Sequence, residues 1–485
     1  MPLNDRDISE LSARSIDQGV AERQLQLLRS GAAYAPVLRP CTLGDGILTL
    51  DEEDRQTLAA TFRAASKRIQ LARFVPASGA ATRMFAHLRG QGDDPARHTF
   101  FAMLRQLPFA KALNQRLEAL GQSLERCLAE GDYATVTSVL LDEAHMGFDQ
   151  MPKGSIPFHG YGDSVRTAFQ EQLVEAAGMM SSGAEQEVHF TVPSTFSHEA
   201  QQSLIGYARA LNAKLSVSFS VQSAQTDTLA LDSTYEPLRN DENALVFRPG
   251  GHGALLHNLA LLHRDVVFIK NIDNIVPEPH QPWVNYHKSV LGGLLLSLVA
   301  ERNALLRELK KGALSEAAVG FLRRWFFGDG WERLPSREEV IALLDRPVRV
   351  CGMVRNTGEP GGGPFWMNTS NGVPSVQIIE SSQIDRNNPE QEALLEASTH
   401  FNPVDMVCAL NDADGNPYNL VDFANPNRVI VTQKVHNGRD IRVLELPGLW
   451  NGGMENWLSV FAEVPADTFA PVKTVNDLLR PAHQL

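Results

Sequence analysis

Cysteine is scarce in this sequence of 485 residues, which contains only Cys41, Cys127, Cys351 and Cys408. No two of them have the CxxC or CxxxC spacing that a zinc site of the common kinds would show. Scattered cysteines of this kind are typical of free thiols in a reducing compartment. We therefore expect a cytoplasmic protein without a zinc site.

Positively charged residues are also in short supply. Lysine and arginine number 44 against 57 aspartates and glutamates, which gives a formal net charge of -13. Proteins that bind DNA or RNA through the phosphate backbone usually present a basic face, and this chain has no run of lysine or arginine. We expect no nucleic-acid partner, although backbone dipoles or a metal ion can still create a nucleotide site in an acidic chain.

Long hydrophobic runs are missing as well. The longest apolar stretch, around residues 290–300, contains glycine and serine and is too short to span a bilayer. The N-terminal residues are polar and acidic, unlike a signal peptide. With 43% apolar residues and a mean hydropathy of -0.19, the composition is that of a soluble globular protein with no membrane partner.

The length allows two to four domains, and the spacing of apolar residues divides the chain into three segments. Residues 1–70 are predicted to form a helical N-terminal region. Residues 71–330 are predicted to form an α/β core with a helical insertion at about 95–145. Residues 331–485 are predicted to form a C-terminal α+β part.

The core segment has clear strand patterns. Residues 215–221 alternate strictly between apolar and polar, as in a half-buried strand, whereas DVVFIKNI is almost continuously apolar, as in a central parallel strand. The strand ALVF, a following helix and DVVFIKNI together predict a right-handed βαβ unit. We therefore predict an α/β fold with a doubly wound, mostly parallel sheet.

The stretch RFVPASGAATRMFAHL, residues 73–88, predicts a strand, a turn of small residues and an amphipathic helix with Met84, Phe85 and Leu88 on one face. Such a turn leaves unpaired backbone N–H groups at a helix N-terminus, where an anion is favoured. Thr82 and Arg83 could add a hydroxyl and a guanidinium. A plain turn with Arg83 in solvent fits this stretch equally well.

Two further charged residues stand in constrained places. Lys153 lies between Pro152 and Gly154, so a lysine is held in a turn, although most lysines are simply solvated. Asp273 follows the apolar strand DVVFIKNI, at the strand end where ligands of α/β sheets bind. It could be a Mg²⁺ ligand or could cap a turn.

Glycine-rich stretches exclude some nucleotide-binding motifs and leave one candidate. NTGEPGGGPFW lacks the Lys-Ser/Thr of a P-loop, and no GxGxxG follows a strand as in a dehydrogenase. RPGGHG contains Gly250, Gly251 and Gly253, which permit positive φ and a close approach of a ligand.

Taken in order, VPASGAATRM, MPKGSIPF, Gln222 at a strand end, RPGGHG, NIDN and FAPVK resemble motifs of the nucleotidyltransferases that make nucleotide sugars. The resemblance is to the UDP-N-acetylglucosamine pyrophosphorylase family. The chain also resembles an uncharacterised bacterial family that shares the phrases VPASGAATRMF and RPGGHGALL. Ala81 departs from the pyrophosphorylase pattern, which has a glycine at that point.

The resemblance to pyrophosphorylases implies a GT-A-like fold and the joining of a nucleoside triphosphate, with UTP favoured, to a sugar 1-phosphate with release of pyrophosphate. It implies Mg²⁺ held by Asp273. It also implies catalytic roles for three cations, with Arg83 on the leaving pyrophosphate, Lys153 on the phosphates and Lys473 of FAPVK on the sugar phosphate or α-phosphate.

The same resemblance implies the binding residues. The triphosphate would be bound by the turn of Ser78, Gly79, Ala80 and Thr82. Gln222 and the glycines Gly250, Gly251 and Gly253 would contact the base. The C-terminal part would complete the sugar-phosphate side, and the sugar would be faced by Asn274, Glu380 and Asn402.

Two other functions fit the same motifs. A glycosyltransferase of similar fold would also use an acidic residue at a strand end for a metal, but would not need Lys153 and Lys473 on the phosphates. A non-catalytic protein that binds a nucleotide or sugar phosphate would explain Ala81. The sequence leaves open the base, the sugar and the oligomeric state.

Overall fold

A computed structural model of the chain describes residues 3–90, 93–180, 184–212, 214–328, 335–358, 361–368, 373–401 and 404–485. Contacts between Cα atoms divide the chain into two compact units, each assembled from three segments. The first unit comprises Met1–Phe62, Gln222–Phe268 and Val290–Val464. The second unit comprises Arg63–Val221, Ile269–Ser289 and Pro465–Leu485.

The α-helices of the described residues are α1 (Asp5–Ala13), α2 (Gln18–Ser30), α3 (Glu52–Ala65), α4 (Ala86–Arg89), α5 (Pro95–Met103), α6 (Ala110–Glu118), α7 (Leu124–Glu130), α8 (Tyr133–Leu141), α9 (Ala168–Met179), α10 (His198–Leu211), α11 (Leu255–Ala260), α12 (Gln281–Lys311), α13 (Glu316–Leu322), α14 (Arg337–Leu344) and α15 (Pro389–Glu396).

The β-strands are β1 (Val37–Pro40), β2 (Thr42–Leu43), β3 (Gly46–Leu48), β4 (Leu71–Pro76), β5 (Pro157–Tyr161), β6 (Ser164–Thr167), β7 (Gln186–Thr191), β8 (Leu215–Ser220), β9 (Thr228–Leu231), β10 (Phe247–Arg248), β11 (Val266–Ile269), β12 (Val348–Met353), β13 (Gly363–Asn368), β14 (Pro374–Ile379), β15 (Asp405–Ala409), β16 (Ile430–His436), β17 (Arg439–Glu445) and β18 (Leu458–Glu463).

The second unit contains three parallel strands in the order β4, β7, β8. Its apolar core includes Val75, Phe190 and Leu215 from these strands, packed in one cluster with residues of α5 to α9. Helices α5 to α8 occupy the stretch that the spacing of Leu113 and Leu117 predicts to be helical, and both leucines are fully buried. Parallel strands buried by helices place polar groups at the strand ends, where the site described below lies.

Helix α9 begins later than its sequence suggests. The apolar pattern predicts a helix from Ser164, but Ser164–Thr167 pairs with β5 as strand β6. The helix begins at Ala168 because Thr167 and Gln170 form a capping box, in which each side chain bonds the other residue's backbone N–H.

The first unit is built on a large mixed sheet with the strand order β2, β3, β18, β12, β15, β11. Strand β12 is parallel to β18 and antiparallel to β15. Two smaller sheets, β1-β13-β14 and β10-β9-β17-β16, belong to the same unit. The prediction of an α/β fold is confirmed, with a sheet that is mixed.

The predicted βαβ unit is wrong. Strand β10 pairs antiparallel with β9 in the four-stranded sheet, whereas β11 belongs to the large mixed sheet. Phe247 and Arg248 form a strand of only two residues with half-buried side chains, which closes the edge of a small sheet. The four residues of β11 are all buried, as a central strand requires.

Among the described residues, Glu278–Lys311 is one helical stretch long and apolar enough to cross a bilayer by length and composition. In its most apolar window, 61% of the residues are buried, as in the core helix of a soluble protein. Gly292 and Gly293 let this helix approach α3 closely, since a Cβ on Gly293 would lie 1.9 Å from the carbonyl oxygen of Leu58.

We expect Gly293→Ala to destabilise the protein by about 2–3 kcal/mol, because the added methyl group forces two packed helices apart. Gly320→Ala in α13 is the matched control, since a Cβ there would meet no atom within 4 Å. That change should stabilise by up to about 1 kcal/mol through helix propensity alone. Urea unfolding of both variants measures the difference, and equal stabilities would contradict the packing argument.

Candidate functional site

The small-residue turn follows strand β4 directly. Its helix is shorter than the sequence predicts, because Ala81–Phe85 form a 3-10 helix and only Ala86–Arg89 form one α-helical turn. Met84, Phe85 and Leu88 are buried together, as predicted. A single turn has little dipole, so any anion binding here depends on individual N–H groups and side chains.

The turn is held by a second stretch of chain that contains Lys153. The N–H of Ala81 donates to the carbonyl of Met151 at 2.9 Å, and the N–H of Lys153 donates to the carbonyl of Gly79 at 3.0 Å. The hydroxyl of Thr82 donates to the carbonyl of Asp149 at 2.9 Å. These bonds place Lys153 beside the turn, although about seventy residues with five α-helices, α4 to α8, separate the two in sequence.

The outer side of the turn presents unused hydrogen-bond donors. Within the described part of the chain, the backbone N–H groups of Ser78, Gly79 and Ala80 have no acceptor. A Cβ on Gly79 would meet no atom within 4 Å, so the space in front of it is open. Arg83 is exposed and makes no ion pair or hydrogen bond with any described residue. Free N–H groups and a free guanidinium on one turn are donors that an anion could use.

Ala81 does not obstruct this surface. Its side chain is fully buried and packs in the apolar cluster that includes Met84 and Phe85. Its N–H is already bonded to Met151, so it is not a donor for a ligand. Where the pyrophosphorylase pattern has a glycine, Ala81 therefore adds a methyl group to the core.

Close packing fixes the Lys153 turn. A Cβ on Gly154 would lie 2.5 Å from the ring of Phe169, so only glycine allows the chain to pass this ring. Pro152 precedes Lys153 and restricts the backbone on the other side. The lysine thus projects from a backbone that cannot rearrange easily.

Asp273 is the centre of the site. Its Oδ2 accepts from Nζ of Lys153 at 2.7 Å and from Nζ of Lys473 at 3.1 Å. The side chain of Lys153 is 15% exposed and that of Lys473 is 62% exposed. One carboxylate and two ammonium groups leave a net positive charge on this cluster.

The pKa values follow from this arrangement. Burial raises the pKa of Asp273, but the charges and hydrogen bonds of Lys153 and Lys473 outweigh burial and hold the pKa below its usual value. Burial also lowers the pKa of Lys153, and attraction to Asp273 offsets this only in part. Asp273 is therefore ionised at neutral pH, and the charge of Lys153 is lost at a lower pH than that of a free lysine.

The C-terminal segment that carries Lys473 is hydrogen-bonded to Asp273 and Asn274. The N–H of Val472 donates to the carbonyl of Asp273 at 3.0 Å. Oδ1 of Asn274 accepts from the N–H of Ala470 at 3.0 Å. Asn274 is only 2% exposed, and its side chain holds the segment that carries Lys473. Its predicted contact with a sugar stays a prediction.

Asp477 is a residue of this site that the motif comparison missed. Its Oδ2 accepts from the N–H of Lys473 at 2.8 Å and from the N–H and hydroxyl of Thr474 at 2.7 and 3.2 Å. It thereby holds the turn that positions Lys473. The spacing Thr474-x-x-Asp477, which is that of a capping box, is the signal that could have found it.

The other predicted residues belong to the first unit. Gly250 and Gly253 face protein backbone, since a Cβ on either would lie 2.3 Å from a carbonyl oxygen, of Thr226 and Pro447 respectively. A Cβ on Gly251, whose φ is +75°, would lie 3.0 Å from the carboxylate of Glu445.

Three further residues, Gln222, Glu380 and Asn402, are predicted to contact the base or the sugar. The side-chain nitrogen of Gln222 is buried and donates to no described acceptor. Oε1 of Glu380 lies 3.4 Å from the amide nitrogen of Asn451. Asn402 lies outside the described residues.

No group of three or more His, Cys, Asp or Glu side chains in the described ranges could hold a metal ion by itself. All four cysteines are buried and free. Asp273 is the one predicted metal ligand, and the remaining ligands would come from water and substrate phosphate oxygens.

A second charged cluster lies in the core of the second unit. Glu175 is fully buried and pairs with Arg73, Lys270 and Lys288, which are also buried. Burial raises the pKa of Glu175, but the three cations together hold it well below the usual value. Buried charges need such partners, so this cluster ties β4 to α9 and to the segment Ile269–Ser289 within the second unit.

We expect Asp273→Asn to lower the free energy of unfolding by about 3 kcal/mol at pH 7, because it leaves the largely buried Lys153 without its counterion. The pKa of Asp273 is depressed by folding, so its stabilisation exists above the unfolded pKa and is lost as pH falls through the folded pKa. The variant should therefore lose less stability than the parent on acidification.

Urea unfolding between pH 7 and pH 3 measures both effects. Asp163→Asn is the control, because this carboxylate is fully exposed and bonds only the exposed Lys111. If Asp273→Asn and Asp163→Asn had the same stability and pH dependence, the shared ion pair would contribute nothing to folding.

Comparison with known proteins gives a fold likeness and a family. The structure is similar to uridine diphosphate N-acetylglucosamine pyrophosphorylase from Trypanosoma brucei, with 13% identity, 98% of this chain and 79% of that chain covered, and a TM-score of 0.49. It is also similar to a UDP-glucose pyrophosphorylase variant from Leishmania major, with 12% identity, the same coverage and a TM-score of 0.44. Likeness at this level transfers no function.

Comparison of sequences assigns the chain to a family but gives no activity. A search of the curated proteins finds no sequence similar to this chain. One family model matches residues 4–484, almost the whole length. The chain therefore belongs to the family described as "Domain of unknown function (DUF4301)".

Proposed function

We propose that this protein is a nucleotidyltransferase, which joins a nucleoside triphosphate, with UTP favoured, to a sugar 1-phosphate and releases pyrophosphate. One observation carries the proposal. The turn of Ser78, Gly79 and Ala80 has three unused N–H groups, and the backbone of Lys153, whose ammonium pairs with Asp273, is bonded to this turn. Lys473 pairs with the same carboxylate. This is a place for a polyphosphate.

The reaction needs positioning and charge neutralisation more than acid–base chemistry. An oxygen of the sugar 1-phosphate attacks the α-phosphorus, the bond between the α-phosphorus and the bridging oxygen breaks, and that oxygen leaves with the pyrophosphate. Both substrates are polyanions, so the protein must offset their mutual repulsion. Fixed cations in a partly buried site do this without reorganising during the reaction.

The three cations of the site, Lys153, Lys473 and Arg83, have different roles in this proposal. Lys153 is the rigid one, since its side chain is nearly buried and its turn is fixed by Gly154. Lys473 is mostly exposed and can exchange its bond to Asp273 for a bond to a substrate phosphate. Arg83 is free of protein partners among the described residues and would bind the pyrophosphate as it leaves.

Asp273 fits a magnesium ligand by its chemistry. Both lysines bond its Oδ2, and none of the hydrogen bonds among the described residues reaches Oδ1. Mg²⁺ is commonly held by one or two carboxylates with substrate phosphates as further ligands. Bound there, the ion would neutralise charge on the phosphate oxygens. The predicted contacts of the base and sugar, Gln222 and Glu380 among them, stay predictions.

The direct test incubates the full chain with nucleoside triphosphates, sugar 1-phosphates and Mg²⁺ and measures pyrophosphate. We expect release that needs both substrates and is fastest with UTP. If no pair of substrates released pyrophosphate, and the protein instead transferred sugar from a nucleotide sugar, it would be a glycosyltransferase. Binding of nucleotide sugars without any turnover would make it a binding protein.

We expect Lys153→Ala and Lys473→Ala each to lower kcat/KM by about a hundredfold, as the loss of one fixed electrostatic partner does in other enzymes. Lys111→Ala is the control, because this exposed lysine of α6 bonds only the exposed Asp163. Initial rates of pyrophosphate release measure the change. Unaltered rates in both site variants, with folding intact, would refute the assignment of the site.

We expect Asp477→Ala to lower kcat/KM by about tenfold, because the turn that holds Lys473 loses its acceptor. As a positioning residue it should act through Lys473, so Asp477→Ala combined with Lys473→Ala should be no slower than Lys473→Ala alone. Losses that multiply in the double variant would show that Asp477 acts by another route.

A further inference from the structure

Two histidines of the second unit form a buried, hydrogen-bonded pair that has no part in the proposed reaction. Nε2 of His159 in strand β5 lies 3.0 Å from Nδ1 of His483, and the two rings are stacked with their centroids 5.3 Å apart. His159 is 1% exposed and His483 is 4% exposed. Because both rings are buried, the surrounding protein determines how many protons the pair can hold.

A carboxylate fixes the direction of the hydrogen bonds in the pair. Oε1 of Glu171 in helix α9 lies 2.9 Å from Nδ1 of His159 and accepts from the hydroxyl of Tyr161 at 2.7 Å. Its Oε2 accepts from the amide of Gln281 at 3.1 Å. Glu171 is thus an acceptor, so Nδ1 of His159 donates to it. When both rings are neutral, Nε2 of His159 accepts from Nδ1 of His483.

The pair connects the C-terminal segment of the second unit to its longest segment. His159 belongs to Arg63–Val221, and His483 belongs to Pro465–Leu485, which also carries Lys473. A change at the pair therefore acts on the segment that supplies a lysine to the candidate site.

The geometry limits the charge that the pair can carry. The line between two ring nitrogens 3.0 Å apart has room for one hydrogen atom. When both rings are protonated, an N–H of each ring points at the other, the hydrogen bond is lost, and two cations face each other in a buried place. Separation of the two rings into water removes this repulsion.

The charged groups beside His159 are already engaged. Arg166 lies 3.8 Å from Glu171, and its guanidinium is 2.7 Å from the carboxylate of Glu278. Glu171 is bonded to His159, so it offsets the charge of that ring. One carboxylate does not offset a second positive charge on His483 as well.

The groups around His483 offset its burial only in part. Burial and the charge of His159 lower the pKa of His483 to about 3, although Asp477 and the backbone of Ala470 act to raise it. Arg480 lowers the pKa further and is itself paired with Asp477 at 2.8 Å. A histidine in a released segment has a pKa of about 6.5. Below that pH the released ring takes up a proton that the bound ring does not, so acid favours release.

A third histidine contacts the same segment from outside. Nε2 of the exposed His280 donates to the carbonyl of Gln484 at 3.3 Å. A carbonyl accepts from a neutral or a charged ring alike, so this contact would not release the segment in acid.

We propose that His159 and His483 form an acid-sensitive latch, which holds the segment Pro465–Leu485 in place at neutral pH and releases it when both rings are protonated. Release would draw Lys473 away from Asp273, so the candidate site would be complete only while the latch is closed. The proposal does not depend on the reaction proposed for the site, since the latch is a property of the folded chain.

The test is hydrogen–deuterium exchange of the full chain between pH 7.5 and pH 5, measured by mass spectrometry. Comparison of each observed rate with that of an unstructured peptide at the same pH gives the protection factor, which reports local opening. Asp273 stays ionised in this range because its pKa lies below its usual value, so its bonds to the segment are not lost through its own protonation.

We expect the protection of peptides from residues 474–485 to fall about thirtyfold between pH 7.5 and pH 5, because the pKa of His483 is about 6.5 when released and about 3 when bound. Peptides from α8, which belongs to the same unit, should keep their protection. Their exchange separates opening of the latch from unfolding of the whole unit.

His483→Asn separates the latch from general effects of acid. The side-chain amide of asparagine can donate to His159 or accept from it, but takes up no proton. We therefore expect protection close to that of the parent at pH 7.5 and a fall of less than threefold by pH 5. His483→Ala lacks the donor and should lose protection already at pH 7.5. His198→Asn, at an exposed histidine of α10, is the control and should behave like the parent.

Thermal unfolding shows which variants are folded, and the pH dependence of the parent decides the question if His483→Asn is not. Equal protection of residues 474–485 at pH 7.5 and pH 5 in the parent would overturn the proposal. So would an equal fall in the parent and in folded His483→Asn, or a fall that extends equally to α8.

Discussion

The carboxylate of Asp273 is the constraint on which the candidate site depends. It is almost buried, and it accepts from two ammonium groups at one oxygen atom. Lys153, Asp273 and Lys473 come from the three different chain segments that make up the second unit. A desolvated charge must be paired, so this one interaction requires all three segments to be in place.

The same interaction leaves the site with an excess of positive charge, in a chain whose net charge is -13. Two ammonium groups share one carboxylate, Arg83 has no partner among the described residues, and the neighbouring backbone presents unused N–H groups. Exposed donors of this kind are met by water or by an anion, and the positive charge around them favours the anion. The arrangement therefore favours an anion over a neutral ligand, and a polyphosphate is the anion that we propose.

Glycine has two distinct uses in this molecule. At Gly79 the missing side chain opens space in front of the turn, as a ligand would need. At Gly154, Gly250 and Gly253 the space is filled by the protein itself, by a phenyl ring or a backbone carbonyl. A glycine-rich motif alone does not distinguish these uses, since both require the absence of a Cβ.

By itself, the sequence determined the α/β class, the helical periodicity of α5 to α8, the buried strand β11 and the strand–turn start of the candidate site. These depend on local patterns of apolar and small residues, which the chain shows directly. Only the tertiary structure shows that β10 and β11 lie in different sheets. Which strands pair depends on segments far apart in the sequence, and local patterns do not specify these partners. The tertiary structure also decided that Lys153 and Lys473 meet at Asp273, and that Asp477 holds the lysine turn. Residues up to 320 positions apart in the chain come together there, and no local pattern specifies which of the many charged residues will be buried as partners.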